Sequence, residues 1–298
     1  MKHPYRVAME NFVSKEELKT IFARNVVLYS HMLSKPVHGI ETVIEVVYPA
    51  IQFVSHIVYT LQVSDSRQTF LFWEGNTGGK KFKACYILVD GEDGLITEMR
   101  VVMRPWQIAT LFRSTMYKEL SNVVPDDYWE PDPSQVIKEG SRTFTSIALE
   151  KIPLARDFEL HSPILARPMK GKENAVQALK LAQSIRSRSS YRSIIATPNM
   201  VIELFDCDAA GNPMEGLWVS KLNEQGQVYD LTVYLRPYPS VAILRSNAKS
   251  WQRRHPNLPL WVLISIGNWP LQNDDNITPC KDDNITPGKQ APATRHNR

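Results

Sequence analysis

The chain has few of the features that mark secreted, membrane-spanning or nucleic-acid-binding proteins. It contains only three cysteines among 298 residues, and an odd, scattered set favours a reducing compartment over a disulfide framework. The N-terminus lacks the apolar core of a signal peptide, and no apolar run approaches the ~18 residues needed to cross a bilayer. A net charge of +4 is small for a dedicated nucleic-acid binder. We therefore expect a cytoplasmic protein with no membrane or nucleic-acid partner.

The sequence also lacks the motifs of metal, phosphate and nucleophilic chemistry. No His, Cys, Asp or Glu residues recur at a convincing metal-ligand spacing, and no Gly-x-Ser-x-Gly elbow is present. The glycine-rich segment 75–81 has the wrong spacing for a phosphate loop and no Ser or Thr after its lysine, which favours a hairpin. We expect no cofactor and no metal.

What the chain does contain is a copy of itself. Residues 28–106 align without a gap on residues 160–238, at a constant offset of 132 positions. Such a unit is far longer than a solenoid repeat of roughly 20 to 50 residues, so each copy should be a domain with its own core. The identical positions include Leu28 and Leu160, Pro36 and Pro168, Gly39 and Gly171, Gly94 and Gly226, and Arg104-Pro105 and Arg236-Pro237.

The repeat, and the composition between its copies, predict the domain boundaries. We expect a first domain at 1–124, a linker at 125–139, a second domain at 140–256 and a C-terminal extension at 257–298. The linker begins with three prolines and four acidic residues within 125–133, a composition typical of an extended connection. Beyond about residue 270 the chain is polar and repeats an octapeptide, which predicts disorder because it can bury little apolar surface.

Within the first copy, helices are predicted before a series of strands. The second helix begins near Ser14, where Glu17 completes a capping box and Leu18 and Phe22 follow at helical spacing. Pro49 is expected to bend the third helix. Helices are predicted over 4–12, from Ser14 onward and after Gly39, and strands over 25–33, 56–63, 68–74, 81–89 and 95–104. This order predicts an α+β fold in which a curved antiparallel sheet wraps helices on one face.

Three segments carry a family resemblance: residues 3–6 (His-Pro-Tyr-Arg), residues 35–41 (Lys-Pro-Val-His-Gly-Ile-Glu) and residues 93–105, which end in Val-Val-Met-Arg-Pro. Across 3–115, and more loosely 140–250, the chain resembles the nuclear transport factor 2-like superfamily, in particular its SnoaL-like branch. The resemblance implies a cone that encloses an apolar pocket, a shape used by polyketide cyclases, ketosteroid isomerase, scytalone dehydratase and limonene epoxide hydrolase. It also implies two tandem cone-shaped domains packed sheet to sheet as a pseudo-dimer, so we expect a monomer or a dimer of such monomers.

The chain departs from the catalytic pattern of the enzymes that it resembles. Those enzymes commonly hold an Asp, or a His-Asp pair, on the pocket face, whereas Tyr86 and Trp218 occupy the third-strand position here. On the first strand, Ser30 and Ser162 stand where the epoxide hydrolases keep an Asp. Neither copy carries the acid pair, which disfavours epoxide hydrolysis and enolisation by a carboxylate base.

Three residues are the candidate catalytic groups, and each has a structural alternative. The imidazole of His31 could transfer a proton, although a single His on a strand is more often a structural donor. Arg104 recurs as Arg236 and could hold an oxyanion; its alternative is a structural arginine that joins the last strand to a helix or to the other sheet. Glu74 could lie at the pocket mouth with a raised pKa, or could be a solvated acid beside a turn.

The aromatic residues of the first copy are the candidate substrate-binding set. We expect the first cone to bind an apolar polyketide- or terpenoid-like molecule and to catalyse its cyclisation, isomerisation or dehydration without a cofactor. The alternative is a non-catalytic small-molecule-binding or scaffold protein of the same fold. The candidate lining residues are Tyr29, Tyr59, Phe70, Phe72, Trp73 and Tyr86.

Overall fold

The computed structural model describes residues 1–134, 152–185 and 189–254. The elements of the first copy are α1 (Pro4–Glu10), α2 (Lys15–Lys19), β1 (Phe22–Tyr29), β2 (Val37–His38), α3 (Ile40–Gln52), β3 (Ser55–Ser64), β4 (Thr69–Thr77), β5 (Lys80–Asp90), β6 (Ile96–Arg104) and α4 (Trp106–Glu119). Those of the second copy are β7 (Leu154–His161), β8 (Met169–Lys170), α5 (Lys172–Ile185), β9 (Ser189–Thr197), β10 (Met200–Ala209), β11 (Asn212–Leu222), β12 (Val228–Arg236) and α6 (Tyr238–Arg254).

Each copy folds into one six-stranded sheet with helices against one face, which is the predicted α+β cone. The strand orders are β2-β1-β6-β5-β4-β3 and β8-β7-β12-β11-β10-β9. One strand pair in each sheet departs from the expected antiparallel arrangement, because β1 runs parallel to β6 and β7 runs parallel to β12. A parallel pair needs a long connection, and here α3 and the β3–β5 meander provide it in the first copy.

The elements of the two copies correspond at the same offset of 132 residues that relates their sequences. Strands β1 and β7 differ by this offset at both ends, and so do β5 and β11, and β6 and β12. The two sheets are therefore consistent with a tandem duplication of one cone.

Local sequence explains the start of α2 but not its end. The Ser14 hydroxyl accepts a hydrogen bond from the Glu17 N–H at 3.2 Å, and the Glu17 carboxylate accepts one from the Ser14 N–H at 2.8 Å, so the predicted capping box is formed. The helix ends at Lys19, however, and Phe22 begins β1 instead of continuing it. Phe22 pairs with Ile96 of β6, and this tertiary pairing outweighs the local helical pattern.

The two sheets pack face to face through a shared apolar cluster. Its members come from β4, β5 and β6 of the first copy and from β10, β11 and β12 of the second, and each is at most 6 % exposed. We call it the sheet–sheet cluster, and it contains Phe70, Phe72, Cys85, Ile87, Val102, Ile202, Leu204, Leu217, Val219 and Tyr234. The central strands are therefore buried on both faces, against helices on the inner face and against the other sheet on the outer face. This is the predicted pseudo-dimer packing.

A helix after each last strand connects the two cones, and the sequence pattern did not predict it. Trp106 begins α4 and donates its N–H to the Pro163 carbonyl at 2.8 Å, while Tyr238 begins α6 and donates its N–H to the His31 carbonyl at 2.7 Å. The two contacts are equivalent in the two copies, because Trp106 and Tyr238 are 132 positions apart and so are His31 and Pro163. The rings of Trp106 and Tyr238 also stack, with centroids 4.0 Å apart. The second cone thus helps to position the segment that carries His31.

The described part of the predicted linker is not extended. Asp126–Tyr128 form a 3-10 turn, and the Tyr128 carbonyl accepts a hydrogen bond from the Ser34 N–H at 2.8 Å. Trp129 is 1 % exposed and packs in the core of the first cone; its burial outweighs the extended preference of the neighbouring prolines. Residues 135–151 and the predicted disordered tail lie outside the described residues, and the domain boundaries stay predictions.

Candidate functional site

A partly open cavity of about 60 Å³ lies in the first cone, between its helices and the inner face of its sheet. Three helices and four strands contribute to its wall. The lining residues are Tyr5, Leu28, Ser30, His31, Met32, Val46, Val47, Ala50, Ile51, Val54, Trp73, Phe82, Ala84, Tyr86, Met99, Val101, Met103 and Phe112. An apolar concave space with a few polar groups is the usual form of a small-molecule site, so this cavity is the candidate site.

The size of the cavity limits what it can hold. A cavity that accommodates a benzene ring measures roughly 150 Å³, whereas this one is about 60 Å³. Met32, Met99 and Met103 line it, and their flexible thioether side chains can repack at low cost. A cavity of this size therefore suits a compact molecule, and a larger one requires the methionines to move.

Three aromatic side chains form one wall of the cavity. The rings of Trp73 and Tyr86 stack with centroids 5.1 Å apart, and Tyr5 meets Tyr86 edge-on at 5.0 Å. Within the described part of the chain, the buried Trp73 Nε1 has no hydrogen-bond partner, whereas the Tyr5 hydroxyl interacts with that of Tyr86. Burial, reinforced by the nearby phenols of Tyr86 and Tyr59, raises the pKa of Tyr5 well above its ordinary value. Tyr5 therefore remains a protonated donor at physiological pH.

Among the described lining residues, His31 contributes the imidazole of the cavity wall. It is 4 % exposed, and its Nδ1 accepts a long hydrogen bond from the Met103 N–H at 3.4 Å. Burial, together with the positive charge of Arg236, lowers the pKa of His31 to about 3. The imidazole is therefore neutral, and a weak base, near neutral pH.

The wall of the cavity can donate hydrogen bonds but is poorly suited to removing a proton. Of the described residues that line it, none is Asp or Glu. A general base works best when its pKa lies near the working pH, and the pKa of His31 at about 3 is well below neutrality. The donors of Tyr5 and Trp73 can hold a carbonyl, ether or hydroxyl oxygen.

Two of the three candidate catalytic residues lie outside the cavity. Arg104 is 5 % exposed at the end of β6, and its Nη2 donates to the Ser162 carbonyl of the second cone at 3.3 Å. This is the structural alternative considered for it, a bridge between the two copies. Glu74 keeps 46 % of its side chain exposed and pairs with Lys83 at 3.2 Å, as a solvated acid near a turn does. The cavity therefore brings His31 together with Trp73 and Tyr86, but with neither Arg104 nor Glu74.

Phe70 and Phe72, which we expected in the pocket wall, do not line this cavity. Both belong to the sheet–sheet cluster on the outer face of β4. Side chains alternate along the strand, so Leu71 and Trp73 face the inner core instead. Both faces of β4 are buried, and this is why apolar alternation by itself did not reveal which face lines the pocket.

Tyr29 and Tyr59 also lie outside the cavity lining. The Tyr29 ring packs under the guanidinium of Arg100, 4.3 Å from its centre, between the two cones. Tyr59 lies on the edge strand β3 with the Arg6 guanidinium over its ring at 5.2 Å. Burial raises the pKa of the Tyr59 phenol, and in the described chain its buried hydroxyl has no hydrogen-bond partner. Tyr59 is thus a neighbour of the aromatic wall and not part of it.

The structure adds cavity residues that were not among the candidates. Tyr5 comes from α1 and Phe112 from α4, while Val47 and Ile51 come from α3. The apolar spacing of α3 was visible in the sequence, and Tyr5 falls within the His-Pro-Tyr-Arg segment. Phe112 lies on the helix that the pattern did not predict. Sequence signals therefore existed for α1 and α3, but only the packing shows that they meet at one cavity.

Within 1–134, 152–185 and 189–254, no group of three or more His, Cys, Asp or Glu residues could hold a metal ion. Over the same ranges, no helix is long and apolar enough to cross a membrane.

Comparison with known proteins yields similarity to solved structures alone, since no family model and no curated protein matches. The similar structures include a nuclear transport factor 2-like protein, a protein with a ketosteroid isomerase-like fold and a SnoaL-like protein. A steroid delta-isomerase from Pseudomonas aeruginosa is 19 % identical with a TM-score of 0.38, over 40 % of this chain and 87 % of that one.

Two further solved structures are similar in the same way. A protein with a cystatin-like fold from Silicibacter pomeroyi is 21 % identical with a TM-score of 0.38, over 40 % of this chain and 86 % of its own. A nuclear transport factor 2-like protein of unknown function from Cytophaga hutchinsonii is 18 % identical with a TM-score of 0.28, over 35 % of this chain and 88 % of its own. At such identities the similarity concerns the fold alone.

Proposed function

We propose that the first cone binds a compact, uncharged, mostly apolar molecule with one hydrogen-bond-accepting oxygen, and holds it without chemical turnover. The observation that carries this proposal is the buried indole donor Trp73 Nε1, which lacks an acceptor within the described chain, beside the Tyr5 phenol, which a ligand oxygen could draw away from Tyr86. Both residues belong to the lining of an otherwise apolar cavity.

The energetics favour a ligand oxygen at these donors. A buried donor without a partner costs about 1 to 3 kcal/mol, and a ligand carbonyl would recover part of that cost while its hydrocarbon body fills apolar space. A charged ligand would lose its hydration without gaining an opposite charge, because the described lining residues include no Asp, Glu, Lys or Arg. The proposed ligand is therefore neutral.

A binding role is favoured over catalysis because the cavity lacks a competent base. The lining offers neither Asp nor Glu in the described chain, and the depressed pKa of His31, about 3, makes its imidazole a weak proton acceptor near neutrality. This is the non-catalytic alternative derived from the sequence.

An enzyme that cyclises, isomerises or dehydrates an apolar substrate is the second candidate, and one observation favours it. His31 lies in the same cavity wall as the two donors, so a neutral imidazole and a carbonyl-polarising donor could act on one ligand. A polyketide- or terpenoid-like substrate stays a prediction, and it would require the methionines of the cavity to repack.

The proposal can be tested with two probes of the same shape, cyclopentanone and methylenecyclopentane, which differ only in the oxygen. We expect the ketone to bind more tightly, measured by the fluorescence of the protein and by the shift in thermal midpoint. Tyr5→Phe should weaken ketone binding about tenfold, equivalent to about 1.4 kcal/mol, and leave hydrocarbon binding unchanged. The control is Tyr117→Phe, at a tyrosine that is 41 % exposed. Equal affinity for both probes in the unmodified protein would refute the proposal.

A second measurement separates the binder from the enzyme. Proton abstraction next to the carbonyl would exchange the α-hydrogens of cyclopentanone for deuterium in heavy water, and NMR follows this exchange directly. We expect the exchange rate to equal that of the buffer. Exchange above the buffer rate that His31→Gln abolishes would favour the enzyme instead.

A further inference from the structure

The outer faces of the two sheets carry a cluster of charged side chains. At one end of this cluster, around Arg236, each arginine forms an ion pair with a carboxylate, and we call this the Arg236 end. Arg236 Nη1 lies 2.9 Å from the Glu215 carboxylate, Arg192 Nη2 lies 3.1 Å from it and Arg100 Nε lies 3.2 Å from it. Glu215 stands directly opposite Arg236 on the neighbouring strand.

The other cations of the Arg236 end have further carboxylate partners. Arg192 Nε donates to Asp206 at 2.8 Å, and Arg100 forms an ion pair with Glu98. Three buried or half-buried arginines are thus balanced by three carboxylates. Arg236 also donates from Nε to the Ser30 carbonyl at 3.2 Å.

The repeat creates a second, related end around Arg104, and among the described residues no carboxylate forms an ion pair with the arginine at this Arg104 end. Arg104 corresponds to Arg236 at the offset of 132, and it makes the corresponding bond, from Nη2 to the Ser162 carbonyl at 3.3 Å. The position of Glu215 is taken by Lys83, which stands directly opposite Arg104. Arg104 is 5 % exposed and its Nε has no hydrogen-bond partner in the described chain.

The charged neighbours of Arg104 in the described chain form no ion pair with it, although the negative charge of Asp230 acts on its guanidinium and favours the protonated form. Among the described residues, none places a carboxylate oxygen within 4.0 Å of Arg104. Glu74 pairs with Lys83 at 3.2 Å. Asp230 lies 3.2 Å from His161 and 3.7 Å from Lys221. Like charges directly opposite each other on neighbouring strands are destabilising, and a buried guanidinium without an anion is costly.

We propose that the Arg104 end binds a small carboxylate anion between Arg104 and Lys83. This anion contacts Arg104 in the way that the Glu215 carboxylate contacts Arg236. A planar carboxylate matches the donor fork of a guanidinium, and the free Nε of Arg104 offers a donor that the backbone contact does not use. The Lys83 side chain is 50 % exposed, so the anion can approach from solvent beside it. This site lies on the outer face of the sheet and is separate from the cavity of the first cone.

The first test measures the thermal midpoint of the full chain at pH 7 in sodium acetate, sodium sulfate and sodium chloride of equal ionic strength. We expect a saturable rise with acetate that chloride does not reproduce. Absence of any rise with acetate up to molar concentration would overturn the proposal. A larger rise with sulfate than with acetate would overturn the assignment to a carboxylate.

Variants then locate the effect. Lys83→Glu places a carboxylate opposite Arg104, as Glu215 is placed opposite Arg236, and should weaken the acetate effect at least tenfold. Lys81→Glu makes the same charge change at an exposed position of the same strand and should keep the acetate effect. Arg104→Met removes the cation and should abolish the effect. An acetate response that persists in both Lys83→Glu and Arg104→Met would refute the site.

Discussion

At the scale of the residue, burial makes His31 a source of pH-dependent stability. Its folded pKa is about 3 and its ordinary value is about 6.5, so the unfolded chain binds more protons between these values. The contribution of His31 to stability is therefore complete above about pH 6.5 and is lost as pH falls toward 3. We predict that the unmodified protein loses about 2 kcal/mol of unfolding free energy between pH 7 and pH 5 from this group.

Urea unfolding at pH 5, 6 and 7 checks this prediction. His31→Gln should flatten the decline by that amount, because the amide does not titrate. The control His38→Gln changes an exposed histidine and should keep the slope of the unmodified protein. Identical slopes for His31→Gln and the unmodified protein would contradict the assignment of this titration to His31.

Burial also limits how many residues of the candidate site can be predicted from the sequence. Trp73, Tyr86 and His31 were candidates, and all three line the cavity. Phe70 and Phe72 are equally apolar and lie on the same strand as Trp73, but they face the second sheet. When both faces of a strand are buried, its composition and its alternation of side chains are the same whichever face borders a pocket. The sequence therefore does not show which face that is.

At the scale of the element, α1 depends on His3, which fixes its start and its position. The His3 Nδ1 accepts a hydrogen bond from the Tyr5 N–H at 3.1 Å, and its Nε2 lies 3.1 Å from the Asp90 carboxylate at the end of β5. His3 therefore caps the helix that carries Tyr5 to the cavity. We predict that His3→Ala costs about 1 to 2 kcal/mol of unfolding free energy and weakens cyclopentanone binding, because Tyr5 loses its fixed position.

Urea unfolding and the ketone titration measure the two effects. Lys2→Ala is the control, since the adjacent Lys2 makes an exposed ion pair with Glu10 at 2.5 Å, and such pairs contribute little. Equal and small losses from both substitutions would show that α1 does not depend on His3.

The elements were predictable to different degrees, for physical reasons. The four strands β3 to β6 begin and end within three residues of the predicted ranges, because turn residues and alternation are local signals. The start of β1 was missed because its pairing with β6 overrides a helical pattern around Phe22. The α4 helix was missed although it contributes Phe112 to the cavity.

At the scale of the whole molecule, the two cones share the sheet–sheet cluster and should unfold together. Phe72 is 6 % exposed, and its ring centroid lies 6.4 Å from that of Tyr234 in the second copy. We predict one cooperative thermal transition, and a loss of about 3 kcal/mol for Phe72→Ala, as is typical of a buried Phe truncated to Ala. Calorimetry and urea unfolding measure these quantities.

The matched control is Phe12→Ala, at a phenylalanine that is 86 % exposed, where substitutions usually change stability by less than about 0.5 kcal/mol. Two separate transitions, of which Phe72→Ala shifts only the first, would show that the cones are thermodynamically independent.

The sequence by itself determined the duplication, the α+β class and the order of most elements, because identical positions at one offset, caps, turns and alternation are local properties of the chain. Only the tertiary structure decided which face of β4 borders the cavity, because both of its faces are buried by different partners. It also decided the roles of Arg104 and Arg236. The two arginines occupy equivalent positions in the two copies. Strand register places Lys83 opposite Arg104 and Glu215 opposite Arg236. The charge of the opposite residue determines whether the arginine has an ion-pair partner there.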